Sequence, residues 1–208
     1  MAEPTYREKT RAAMLAIAER ILATEGLSAL QARRVAREAD CAVGTLYNIF
    51  DSLDELIIAA NAHALEALGQ SLLAARDQSA DRSVKGRLLA MALAYLEFAR
   101  SNEHAWRAVF EHQMVGGQEI PSWYRERQAR LFALVETVLE NSGVEVAGRS
   151  AAARALFAAV HGIVTLALDQ KLGKSEPREA ESQVRFVVTA VAGGLEGAAS
   201  VLAASRPR

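Results

Sequence analysis

A single cysteine, Cys41, stands in the 208 residues, so no internal disulfide and no multi-cysteine metal site can form. Proline is scarce, with four residues, which leaves long stretches free to run as uninterrupted helix. Neither sign of charge is in excess: 24 Lys and Arg face 25 Asp and Glu, for a net charge of −1. That balance excludes bulk attraction to nucleic acid, so any such contact must come from local placement. No G-x-S-x-G, phosphate-binding glycine loop or H-x-x-x-H pair occurs among the residues. Neither a catalytic constellation nor a metal or other cofactor is therefore expected.

Long uncharged apolar runs are also missing. The most apolar late stretch, residues 186–204 (FVVTAVAGGLEGAASVLAA), approaches the length of a membrane span, but Glu196 interrupts it. It reads as a buried interface helix, and no membrane partner is expected. The first residues, MAEPTYREKTR, lack the apolar centre of a signal peptide. Together with the lone thiol, they suit a reducing, cytoplasmic location.

What is present is helix-forming. Hydrophobic residues make up 51% of the chain, Ala and Leu dominate, and β-branched runs are few. The fold class expected is all-α, with about nine helices. An apolar stripe of Ala13, Leu15, Ile17, Ala18, Ile21 and Leu22 predicts a first helix over 6–24, stopped by Gly26. Ser28 with Gln31 has capping-box spacing and predicts that the second helix opens there, reaching about Ala39. Asp40 supplies a turn, and a short helix follows at about 43–49. Ser52 and Glu55 predict the cap of a long fourth helix, to about residue 75. Further helices are expected near 83–101, 103–114, 122–141, 148–171 and 178–203. Loops fall at VGGQEIPS, NSGVEVAG and LGKSEP (172–177).

Two short helices around a tight turn, followed by a long one, form the grammar of a helix-turn-helix, whose second helix enters the major groove. Leu46 and Phe50, four apart, should pack inward, leaving Thr45, Tyr47 and Asn48 outward. Gly44 permits close approach to DNA. Arg33 and Arg34 lie early in the second helix, within reach of backbone or base edge. Arg7, Lys9 and Arg11 form a second basic group, yet residues 1–60 hold seven Lys and Arg against nine Asp and Glu.

Gly26, then Val35-Ala36-x-x-Ala39, then Gly44-Thr45-Leu46-Tyr47, Phe50 and Leu56 resemble the DNA-binding domain of the TetR (tetracycline-repressor-like) family. A looser resemblance continues at Leu156–Gly162. The resemblance implies two domains: a helix-turn-helix head at 1–51, and an effector-binding and dimerising body at 52–208. The fourth helix, about 52–75, links them. It implies DNA contacts from Arg33, Arg34, Val43, Gly44, Thr45, Tyr47 and Asn48. The partners it implies are a double-stranded pseudo-palindromic operator, a second copy of the chain and a small effector. The chain departs from the family at Asp40, where Gly is frequent, at Ala42, where Ser is frequent, and at Ile49 and Leu53, where polar residues are frequent.

In the body, Met91, Tyr95 and Phe98 recur at helical spacing, as do Trp106, Phe110, Gln113 and Met114. Trp123, Phe132 and Phe157 add aromatic bulk, and His161 lies on an apolar face. By the resemblance these surround an effector pocket for a hydrophobic or aromatic molecule, with Tyr95, Gln113 and His161 as polar handles. Each also suits ordinary core packing. The last helix carries small residues, and Val187, Val191, Gly194, Leu195, Ala198 and Leu202 form either a homodimer seam or an intrachain face. The reading is a ligand-responsive regulator, a repressor released by its effector. The alternative is a helical small-molecule-binding protein whose DNA head is weakened or lost.

Overall fold

The computed structural model describes residues 3–170 and 177–204, with side chains described for 3–170 and 178–195. The expected loop at 172–176 lies outside the described residues, as do the side chains of Ala198 and Leu202. The described residues form α-helices and two 3-10 turns, with no strand among them. The chain divides into two compact units. One takes Met1–Ala67 and Asn102–Arg127, the other Leu68–Ser101 and Gln128–Arg208. This division differs from the expected boundary at 51/52: it falls inside the fourth helix, and the first unit takes back a later segment.

The first unit begins with α1 (Tyr6–Thr24), whose start is fixed by a box the sequence reading overlooked. Glu8 N–H donates to Thr5 Oγ1 at 3.3 Å, and Thr5 N–H donates to Glu8 Oε2 at 2.7 Å. Gly26, at φ +83°, ends the helix in a conformation that L side chains avoid. Ser28 does not open the next helix. Leu27–Ala29 forms a 3-10 turn, and α2 (Ala32–Glu38) starts after Gln31 with no side-chain cap. Asp40 then takes φ +51°, the left-handed turn expected of it. The turn leads into α3 (Val43–Ile49). Ser52 Oγ accepts from Glu55 N–H at 3.1 Å, and the Glu55 carboxylate accepts from Asp51 N–H at 2.6 Å. These bonds start α4 (Leu53–Gln78).

The core of this unit joins Met14, Ala18, Ile21 and Leu22 of α1 to Val35, Leu46, Phe50 and Leu56. Ala13, placed in the stripe from sequence, is exposed, whereas Met14 is fully buried. The later helix α6 (Glu103–Glu111) packs on α1 and contributes Ala108 to the same core. Two hydrogen bonds tie this segment to the head. Asn61 Nδ2 donates to the Ala108 carbonyl at 2.8 Å. Val115 N–H donates to Asp54 Oδ2 at 3.0 Å; His112 Nε2 lies 3.3 Å from Asp54 Oδ1 without a hydrogen bond to it. The first residues of α7 (Ser122–Leu139) complete the unit.

In the second unit, α9 (Pro177–Ala204) packs against both α8 (Val146–Leu168) and α5 (Val84–Ser101). Ala180, Val184, Val188 and Leu195 of α9 face inward, as do Leu156, Val160 and Val164 of α8. Each fully buried aliphatic side chain of this kind contributes about 1.5–3 kcal/mol. Helices α4 and α8 are each long and apolar enough to cross a membrane. Over half of α4's apolar window is buried in the fold, against 28% for α8.

Candidate DNA-binding surface and ligand cavity

Helix α3 is held from one side only. Leu46 and Phe50 are completely buried beneath it, and the Arg11 guanidinium lies 4.9 Å from the centre of the Phe50 ring. Arg7 Nη2 donates to the Asn48 carbonyl at 3.2 Å, where a helix C-terminus favours positive charge. The opposite side is open. Tyr47 is 50% exposed, Gly44 and Asn48 are exposed, and Val43 and Thr45 are half-buried. A Cβ on Gly44 would meet nothing within 4 Å. Packing inside the chain therefore does not require glycine there, and its φ is not positive. A surface with hydroxyl, phenol and carboxamide groups around a bare backbone can donate to phosphate oxygens and admit a close partner.

The two arginines expected on this surface have different surroundings. Arg33 is exposed and, among the described residues, makes no ion pair, as is true of Arg37 one turn on. Arg34 instead joins a carboxylate network. Its Nη1 and Nη2 donate to Glu25 at 2.8 and 2.5 Å, and its Nε donates to Glu38 at 2.9 Å. Arg20 reaches the same Glu38 carboxylate. Hydrogen bonding to Glu25 first, then Glu38, raises the Arg34 pKa, and the Arg34 bonds lower those of both glutamates. Arg34 thus braces α2 against the end of α1, and Arg33 and Arg37 are the exposed cations of this helix. Glu38, four residues after Arg34, was the signal in the sequence for that pairing.

The departures from family pattern also have a local account. Ala42 caps α3 with no side-chain hydrogen bond, as an alanine must. Ile49 and Leu53 pack against the core of the head, exchanging polar reach for buried area. Cys41 is half-buried, with Sγ 3.5 Å from the Ala36 carbonyl.

The second unit holds a half-open apolar pocket of about 60 Å³. It is lined by Leu72, Leu88, Met91, Ala92, Tyr95, Val135, Leu156, Phe157 and Val160. Of the expected pocket residues, Met91, Tyr95 and Phe157 line it. Phe132 packs edge-on against Phe157 at 5.4 Å, and the His161 ring stacks on Phe157 at 5.2 Å. His161 Nδ1 and Tyr95 Oη are 2.7 Å apart, and burial lowers the His161 pKa. A neutral imidazole accepting from the phenol O–H at Nδ1 carries its own proton on Nε2.

The remaining expected pocket residues are placed elsewhere. Phe98 lies half-buried on α5, outside the lining. Trp106, Phe110, Gln113, Met114 and Trp123 belong to the first unit. There, Trp106 is buried with its ring 5.2 Å from that of Phe110, while Gln113 and Trp123 are exposed and Met114 is half-buried. The lining residues missed from sequence are aliphatic: Leu88 and Ala92 share a helical stripe with Met91 and Tyr95, and Leu156 and Val160 flank Phe157. On α9, Val187 and Val191 are half-buried and Gly194 is exposed, but Leu195 faces the core of its own chain. Its place in the expected seam is therefore corrected: it lies one residue off the outward face.

Residues 14–60 match the bacterial regulatory proteins of the tetR family, and residues 88–191 match the tetracyclin repressor-like C-terminal domain. A search of the curated proteins gives no match. Among solved structures, a protein of unknown function from Rhodococcus sp. RHA1 is similar at TM-score 0.72 and 22% identity, covering 94% of this chain and 100% of that one. SCO4454, a TetR-family transcriptional regulator from Streptomyces coelicolor, is similar at TM-score 0.65 and 23% identity, covering 90% and 96%. BioQ, solved with its double-stranded DNA operator, is similar at TM-score 0.62 and 22% identity, covering 90% and 98%. An all-α chain with a helix-turn-helix head, matched by both the N-terminal and C-terminal domains of one family over most of its length, belongs to the TetR family of DNA-binding transcription regulators.

Proposed function

We propose that this chain is a cytoplasmic, homodimeric repressor without enzymatic activity, which leaves its operator when a small apolar molecule binds. The observation that carries the reading is the one-sided burial of α3. Leu46 and Phe50 anchor it, while Gly44, Tyr47 and Asn48 stand open. Arg33, Val43, Gly44, Thr45, Tyr47 and Asn48 are the proposed DNA contacts, with Arg37 replacing Arg34. Two copies would set their α3 helices in successive major grooves of a pseudo-palindrome. BioQ, of the same fold, was solved with its double-stranded DNA operator.

Dimerisation is supported by the outer faces of α8 and α9. Leu166 on α8 and Phe186 on α9 are 41% and 74% exposed, and Cβ atoms on Gly162, Gly193 and Gly194 would meet nothing within 4 Å. Together with Val187 and Val191 they form an apolar surface with room for close helix approach, suited to a second copy. Effector binding is supported by the apolar cavity with its Tyr95–His161 pair. At about 60 Å³ it is smaller than the roughly 300–1,000 Å³ of drug-sized sites, so a ligand must widen it. A ligand that prefers the widened state and thereby weakens DNA binding is weakened by DNA in equal measure. Helices α4 and α7 each run from one unit into the other and are covalent routes for that coupling.

Selection of bound duplexes from a random library at low salt tests the reading, with Tyr47→Ala as control. A palindrome enriched by the wild type and lost in the variant is expected. No enrichment at any salt concentration would replace this reading with that of a ligand-binding protein with a silent head.

A further inference from the structure

The second unit holds another cavity, of about 500 Å³, at the first turn of α5 and the end of α7. Arg82, Ser83, Val84, Arg87, Val138 and Asn141 line it. Its size falls within the roughly 300–1,000 Å³ range of small-molecule sites, and its chemistry is the reverse of the apolar cavity. Two guanidinium groups, a hydroxyl and a carboxamide stand together there.

Arg87 is the telling residue. Its Nε is buried with no hydrogen-bond partner, and among the described residues its guanidinium forms no ion pair. A charged donor turned away from water without an acceptor is destabilising, so the geometry calls for an oxyanion. Arg82 is anchored beside it by donating from Nη1 to the Asp77 carbonyl at 2.6 Å, which leaves its other N–H groups for a ligand. The Asp77 carboxylate attracts Arg82 and Arg87 at a distance, and neither it nor Asp81 accepts a hydrogen bond from Arg87 Nε. Asp77 accepts from Arg76 Nε at 2.8 Å, and Asp81 accepts from Ser83 N–H at 2.9 Å. Asp81 also lies over Gly86, leaving no room for a Cβ there.

We propose that this cavity is a second small-molecule site, for an organic anion whose carboxylate or phosphate group rests on Arg87 and Arg82. The planar guanidinium fork matches both oxyanions. Ser83 and Asn141 supply polar contacts, and Val84 and Val138 supply an apolar wall, for a ligand larger than a bare ion. The site is independent of the apolar effector cavity.

Thermal unfolding of the full chain tests it, with chloride exchanged for inorganic phosphate or for citrate at fixed pH and ionic strength. Both anions stabilise proteins by surface exclusion, so the readout is the saturable part of the response. The wild type should show saturation with at least one anion, and the stronger of the two identifies the oxyanion. Arg87→Gln should weaken the apparent Kd by roughly ten- to a hundredfold, and Arg82→Gln by less. Tyr95→Phe should leave this response unchanged, which separates it from the apolar cavity. Arg87→Lys, which keeps the charge and loses the fork, serves if Arg87→Gln does not fold. A response without saturation, or equal saturation in wild type and variants, overturns the proposal.

Discussion

The surface of α3 and the apolar cavity of the second unit are both built from helices, but their functional residues stand on opposite sides of the packing. On α3, the residues available to a partner are those that packing leaves over: Gly44, Tyr47 and Asn48 are exposed because Leu46 and Phe50 are buried. In the cavity, the residues available to a ligand are the packing itself, since Leu88, Met91, Leu156 and Val160 are at once core and lining. Function and stability are therefore separable on α3 and entangled in the cavity.

The sharpest break of that comparison is Phe50→Ala. Removing a fully buried ring under α3 should destabilise the protein by about 3–5 kcal/mol in denaturant unfolding. Operator binding should fall with it, because the anchor serves the exposed face. Tyr95→Phe probes the entangled side more gently. Losing the O–H partner of His161 should cost about 1 kcal/mol and change effector affinity in calorimetric titration. An unchanged affinity would remove the pair from the proposed site.

Gly44→Ala tests separability. With open space around the new methyl, helix propensity should raise stability by up to about 1 kcal/mol, while DNA affinity drops. Loss of both together would show that Gly44 serves the fold. Ala42→Ser should add about 1 kcal/mol by capping α3, with no change in effector binding.

The smallest effect is a pH dependence. Burial lowers the His161 pKa below 6.5, so the unfolded chain takes up a proton more readily than the folded one. Its contribution is fully present above pH 6.5 and is lost as pH falls through the folded pKa. Glu25 and Glu38, lowered by their bonds to Arg34, act with the same sign in the acid range, below about 4.5. Comparing stability-versus-pH curves of wild type and His161→Gln isolates the first window: the variant curve should be flatter as pH falls below 6.5.

The same contrast explains what the sequence made legible. The limits of α1 and α3 coincide with their expected positions because Gly26, Asp40 and the Leu46–Phe50 spacing are local signals. The opening of α2 was misread because Ser28 has capping spacing, yet lies in a 3-10 turn. The cavity was only partly legible. Aromatic bulk at helical spacing marked Tyr95 and Phe157, but it marked Trp106 and Phe110 equally, and those two are packed in the other unit. Spacing identifies the side of a helix, whereas membership in a cavity depends on which helix lies opposite. Arg34 shows the same limit, since Glu25 is nine residues away in sequence and adjacent only across the turn.

Ala108 in the core of the head has a practical bearing on protein engineering. A chimera that grafts this reading head onto a relative's body by a single crossover after residue 67 would leave α6 behind and break the hydrogen bonds that fasten it to Asn61 and Asp54. Such a hybrid should bind its operator poorly because the relative's corresponding helix is not matched to this α1. Exchanging residues 1–67 and 102–127 together should transfer the specificity intact, so in this chain the heritable unit of DNA recognition is split in two.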